Sequence, residues 1–176
     1  MKVEAIRRIG KVSAVAAKAA IESLMAKFLS LFNENHLRLM IDNDWYIIES
    51  IQWSMRHRPD YRGVPPDQAR WFEARRLYFV KMGFAALGFA RSIALMFPRH
   101  VVEKYLNAEY ALKYFDKNIP WVSKVIREKG DRGRRWLERQ VKEIKDFLYQ
   151  SPNRRVPPST LRPTRGRGFR HYPPRG

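Results

Sequence analysis

Apolar positions recur at intervals of three and four along most of this chain, the period of an amphipathic helix. Residues 2–32 contain no proline and are rich in alanine. In their second half Ile21, Leu24, Met25, Phe28, Leu31 and Phe32 form one stripe. The first half differs. Ala14, Ala16, Ala17, Ala19 and Ala20 predict a slim rod, with Arg7, Lys11 and Lys18 near one face because offsets of four and seven approach whole turns. Asn33-Glu34-Asn35 predicts a capped break. A second helix is expected over 36–58, with Leu37, Met40, Ile41, Ile47, Ile48 and Ile51 facing inward.

Residues 59–66 form a loop, because Pro and Gly there break any regular element, and Asp67 follows near the start of a third helix over 66–97. A fourth helix is expected from Pro98 to about residue 117, ended by Asn118-Ile119-Pro120. Two shorter ones follow over 121–129 and 133–150, the last with Trp136, Leu137, Val141, Ile144 and Leu148 as its buried stripe. No stretch alternates with period two long enough for a sheet. The fold class expected is all-α: an N-terminal helical arm (1–33), a helical bundle body (34–150) and an extended C-terminal tail (151–176).

Residues 77–97 are apolar enough and long enough to span a bilayer, but they include Lys81 and Arg91. Each cation inside the hydrocarbon would cost about 2.5–3.5 kcal/mol. A centrally buried helix of a soluble bundle with two snorkelling cations is the preferred expectation. Charges run from Lys2 to Lys11 with no apolar core and cleavage site behind them, so no signal peptide is expected.

Charge changes the picture. The chain has 176 residues, 35 Lys and Arg against 17 Asp and Glu, and a net charge of +18. Residues 34–60 are net −2, whereas residues 151–176 hold seven Arg, no Lys and no acid. That tail also has six Pro and three Gly, too little apolar surface for a core. Such an imbalance opposes self-association and calls for a polyanion, an anionic membrane or an acidic partner. With 45% hydrophobic residues the chain is not a wholly disordered basic protein. It has no Cys, which excludes disulfides, thiolate metal sites and a cysteine nucleophile.

No catalytic constellation emerges. There is no phosphate-cradling glycine loop and no nucleophile elbow, and His36, His57, His100 and His171 lie far apart. Asp42-Asn43-Asp44 and Glu49 are the densest acids, but in a helix residues 42 and 44 diverge by about 200°. They read as surface ion pairs rather than a metal site. The chain is expected to be a non-enzyme without metal or cofactor.

The basic features carry the functional reading. Arg154, Arg155, Arg162, Arg165, Arg167 and Arg170 lie in the tail, the last three interleaved with Gly166, Gly168, Phe169, His171 and Tyr172. Guanidinium forks match phosphate oxygens, aromatic rings stack on exposed bases, and Pro holds the segment extended. Two patches are expected on the folded part. One is Arg132, Arg134, Arg135 and Arg139 at the start of the last helix; the other is Arg70, Arg75 and Arg76 around Trp71 and Phe72. Each also reads as exposed cations beside a buried aromatic. The arm, with Arg7, Arg8, Lys11 and Lys18, is a third surface, or simply a bundle helix packed through its alanines. Contacts of this kind would be sequence-independent and strongly salt-dependent.

With Arg7-Arg8, Lys11 and Lys18 on a long N-terminal helix and residues 59–66 as a hinge, the layout resembles the major capsid proteins of filamentous and rod-shaped archaeal viruses. The resemblance implies a coat subunit that wraps double-stranded DNA with helical arms and packs bundles outside. It also implies partners that are copies of the chain or a related subunit, a lipid envelope in some members, and residence in a virion assembled in the host cytoplasm. In related rod-shaped viruses the extended basic arm is N-terminal; here the most basic extended segment is 151–176. The residues alone also fit a cellular RNA- or DNA-binding factor with an arginine–glycine tail, or a membrane-associated basic protein.

Overall fold

A computed structural model of the chain describes residues 2–150, with side chains from residue 13 onward. Among the described residues the chain is all-helical: α1 Lys2–Leu29, α2 Glu34–Asn43, α3 Ile47–Arg56, α4 Pro66–Met96, α5 Arg99–Glu103, α6 Ala108–Asn118, α7 Pro120–Glu128 and α8 Gly130–Tyr149. One core joins them. It includes Ile21, Leu24 and Phe28 of α1, Leu37 and Met40 of α2, Ile51 of α3, Phe115 of α6 and Trp136 of α8. The second half of α1 is therefore part of the body, and Ala17 is the first buried residue among the described side chains.

The helix expected over 36–58 is two. Asp44 takes a left-handed conformation (φ 56°), which a short polar side chain tolerates. Trp45 then turns into the core. α3 has no side-chain cap of its own. Its first amides are instead received by α8: Ile47 N–H donates to Gln140 Oε1 at 2.7 Å and Ile48 N–H to Glu143 Oε1 at 3.0 Å. Gln140 Nε2 and Trp136 Nε1 both donate to the Trp45 carbonyl, at 3.2 and 3.0 Å. The expected fourth helix is also divided, because the Asn107 side chain accepts from Tyr110 N–H at 2.8 Å and starts α6 afresh. Between α7 and α8 the break is a single residue, Lys129; Gly130 (φ 59°) opens α8, and Gly133 lies inside α8 against the Ile126 carbonyl.

α4 differs most from expectation. It is long and apolar enough to cross a membrane by length and composition, yet only 28% of its most apolar stretch is buried. Gly83, Ala86, Leu87, Ala90 and Ile93 pack inward, with the missing Gly83 side chain giving room to Ile51. The opposite face is open: Leu77, Tyr78, Leu95 and Met96 are all exposed. The helix lies at the surface of the bundle rather than at its centre, because α1, α3 and α8 cover only one side of it.

Candidate nucleic-acid interface

The patch around Trp71 becomes one wall of a cleft of about 540 Å³. The first half of α4 supplies Trp71, Phe72, Arg75 and Phe79, α3 and the residue after it supply Trp53 and His57, the α1–α2 junction supplies Phe32, and α2 supplies His36. His57 stacks on Trp53, ring centroids 4.5 Å apart and planes 14° from parallel. The Arg75 guanidinium lies 4.8 Å from the centroid of the Trp71 ring, a cation–π contact that leaves its N–H groups toward solvent. Burial, and after it the Arg75 charge, holds the His36 imidazole below its ordinary value, favouring the neutral ring.

The three arginines of this patch are not equivalent. Arg76 is 13% exposed, donates to the Ser54 carbonyl at 2.7 Å and is paired to Glu73 at 2.7 Å. Its hydrogen bond in turn holds the Glu73 carboxyl below the usual carboxylate range. Arg76 therefore ties α4 to the end of α3, its guanidinium already engaged by Glu73 and the Ser54 carbonyl. Arg70 is paired to Asp67 at the surface. Arg75, without an ion pair among the described residues, is the open cation of the patch.

At the start of α8 the same sorting applies. Arg132 and Arg135 are exposed with no ion pair among the described residues. Arg134 is paired with Glu138 at 3.2 Å, and Arg139 with Asp44. Asp42, for its part, takes Lys129 at 2.9 Å, so the densest acidic stretch is spent on ion pairs between helices. Exposed pairs of this kind are worth about 0–1 kcal/mol and exchange readily for another anion. Lys18 is exposed on α1. The side chains of Arg7, Arg8 and Lys11, and the tail arginines 154, 155, 162, 165, 167 and 170, lie outside the described residues.

Twelve of the sixteen acids in residues 13–150 form an ion pair within the chain, so little negative charge on the body is left to attract the basic ends. Residues 1–12 and 151–176 together hold +10 of the +18. The packing brings the starting points of these two segments to one pole. α1 runs antiparallel to α4, with Lys27 over the Phe89 ring at 5.4 Å and Phe32 against Phe79 at 5.7 Å. α1 therefore points its N-terminal half past the end of α4, toward α5, on which it packs. α8 ends at that same place, with Arg91 over Phe147 at 4.3 Å and Arg99 over Tyr149 at 4.7 Å.

No family model, curated protein or solved structure is found to match this chain. The site consequently stands on its own geometry. Sequence reading marked Arg70, Arg75, Arg76, Trp71 and Phe72 but not His36, Trp53, His57 or Phe79 as their neighbours. The four-residue spacing of Trp53 and His57 is the only local signal for the second wall; its meeting with α4 is a tertiary contact.

Proposed function

We propose that this protein is a structural, non-enzymatic nucleic-acid-binding subunit that coats double-stranded DNA through sequence-independent phosphate contacts, as the resemblance to archaeal filamentous-virus coat proteins implies. The observation that carries the reading is the placement of charge. The body matches most of its acids internally, while more than half of the surplus cation belongs to residues 1–12 and 151–176, and the end of α8 lies at the pole toward which the first half of α1 points. Two cationic segments leaving one pole are suited to gripping a polymer from two sides. The rest of the bundle is then free to pack on its neighbours.

The deciding experiment is binding of the full chain and of residues 1–150 to duplex DNA across a salt series, followed by microscopy of the complexes. Filaments with a steep salt dependence, weakened in the shortened chain, are expected. Discrete low-stoichiometry complexes whose affinity ignores salt would overturn the reading.

A second reading, binding to RNA or single-stranded DNA, is favoured by one observation: the aromatic cleft beside the open Arg75. Stacking platforms with an adjacent cation suit unpaired bases. It predicts that Trp71→Ala weakens oligo(dT) or RNA binding about tenfold while leaving duplex binding unchanged.

A further inference from the structure

The open face of α4 has the pattern of a two-helix seam. Positions 71, 74, 78, 81, 85, 88, 92 and 95 follow the alternating three-and-four spacing of a and d sites in a heptad. They carry Trp71, Ala74, Tyr78, Lys81, Ala85, Gly88, Ser92 and Leu95. Ala74, Ala85, Gly88 and Ser92 are the small positions of the stripe, and Leu77, Met82, Phe84 and Met96 flank it. A Cβ added at Gly88 would meet nothing within 4 Å, so the groove over it is empty. Ser92 makes no demand on an incoming helix, since its hydroxyl already donates to the Gly88 carbonyl at 3.2 Å.

We propose that this face docks a second copy of the chain, α4 against α4, antiparallel about a two-fold axis near residue 83. That register sets Tyr78 of each chain opposite Gly88 of the other, Trp71 opposite Leu95, Ala74 opposite Ser92 and Met82 opposite Phe84. Tyr78 meets Gly88 and Lys81 meets Ala85, large against small, Trp71–Leu95 and Met82–Phe84 are apolar contacts, and every pairing occurs twice, as an isologous interface requires. Lys81 sits beside Ala85 rather than its own copy; a parallel pairing would place the two Lys81 ammonium groups against each other.

The area is sufficient. Tyr78 is 65% exposed, Met96 70% and Leu95 88%. With Trp71, Leu77, Met82 and Phe84 they offer on the order of 700–800 Å² per chain, close to one side of a standard interface. The small central residues allow axes to approach to about 8 Å. A lipid surface fits less well, because Lys81 lies in the middle of the apolar stripe and the groove over Ala85, Gly88 and Ser92 would have nothing to receive.

The test uses the full chain without nucleic acid, in about 0.5 M salt, where the Debye length falls to only a few ångströms and like-charge repulsion is muted. Sedimentation is expected to give a dimer at micromolar concentration. Gly88→Leu and Leu95→Glu, both at open positions, should raise the dissociation constant at least tenfold with helicity unchanged. Because the chain has no Cys, single introduced thiols report register. A mixture of Ala74→Cys and Ser92→Cys chains should cross-link, and Ala74→Cys alone should not. Four outcomes would overturn the proposal: a monomer throughout, a dimer indifferent to both seam variants, a cross-link in Ala74→Cys alone, or monomers that bury Trp71 in phosphatidylcholine–phosphatidylglycerol vesicles. None of these measurements involves nucleic acid, so a failure here leaves the charge-based reading of the two ends untouched.

Discussion

Individual residues in this bundle answer to very local geometry. Gly133 and Gly88 are both helical glycines, yet they predict opposite results. A Cβ at Gly133 would lie 2.0 Å from the Ile126 carbonyl oxygen, a backbone atom that cannot swing aside. Gly133→Ala should therefore cost about 3 kcal/mol or more of unfolding free energy. At Gly88 the space is open, and Gly88→Ala should raise the stability of the monomer by about 1 kcal/mol through helix propensity alone. Thermal unfolding of the two variants side by side checks both. His36 gives a pH dependence. Its folded pKa lies below the ordinary 6.5, so beneath that pH the unfolded chain binds more protons than the folded one. Its contribution to stability is complete above about pH 6.5 and is lost as pH falls through the depressed folded value. Urea unfolding at pH 7.5 and 5.0 should show this loss in the wild-type chain and a smaller one in His36→Gln.

At the level of elements, α3 depends on α8 for its start. Tyr46 offers no side-chain cap, and the first amides of α3 end on Gln140 and Glu143, 93 to 95 residues away in sequence. Gln140 is 2% exposed and also donates to the Trp45 carbonyl. Gln140→Leu leaves a buried N–H and a buried carbonyl short of partners and should lower stability by about 1–3 kcal/mol. Glu143→Gln keeps an acceptor oxygen for Ile48 N–H but loses the charge beside the helix N-terminus and the second oxygen that faces Glu49 N–H, so about 1–2 kcal/mol is expected. Denaturant midpoints with unchanged slopes would show that the effect is on stability and not on compactness.

For the whole molecule the governing quantity is where the charge sits. Binding to duplex DNA should follow log K against log salt with a slope of about −0.9 per phosphate neutralised. If all seven tail arginines reach phosphate, removal of residues 151–176 should flatten that slope by as much as about 6. Arg132→Ala with Arg135→Ala should change it by no more than about 2 if those two exposed cations contribute. Arg76→Ala should instead destabilise the fold, because it leaves Glu73 half-buried and without its main partner.

The sequence by itself determined that residues 2–150 are all-helical, where most helices lie, and how unevenly the cations are spread. Helical periodicity, proline and net charge are local or additive properties, legible without a partner. The helix expected over 66–97 is Pro66–Met96 and the one expected over 121–129 is Pro120–Glu128, legible to within a residue because prolines mark both limits of the first and the start of the second. The breaks at Asp44 and Asn107 were not. Neither is forced by glycine or proline, and the first exists because Trp45 finds the core and Gln140 receives the amides that follow. Only the tertiary structure decided which of two identical-looking arginines, Arg75 or Arg76, stays free. It alone brought the end of α8 to the pole toward which the first half of α1 points. It also left one face of α4 open along its apolar second half, since three neighbouring helices can cover just one side of a fourth.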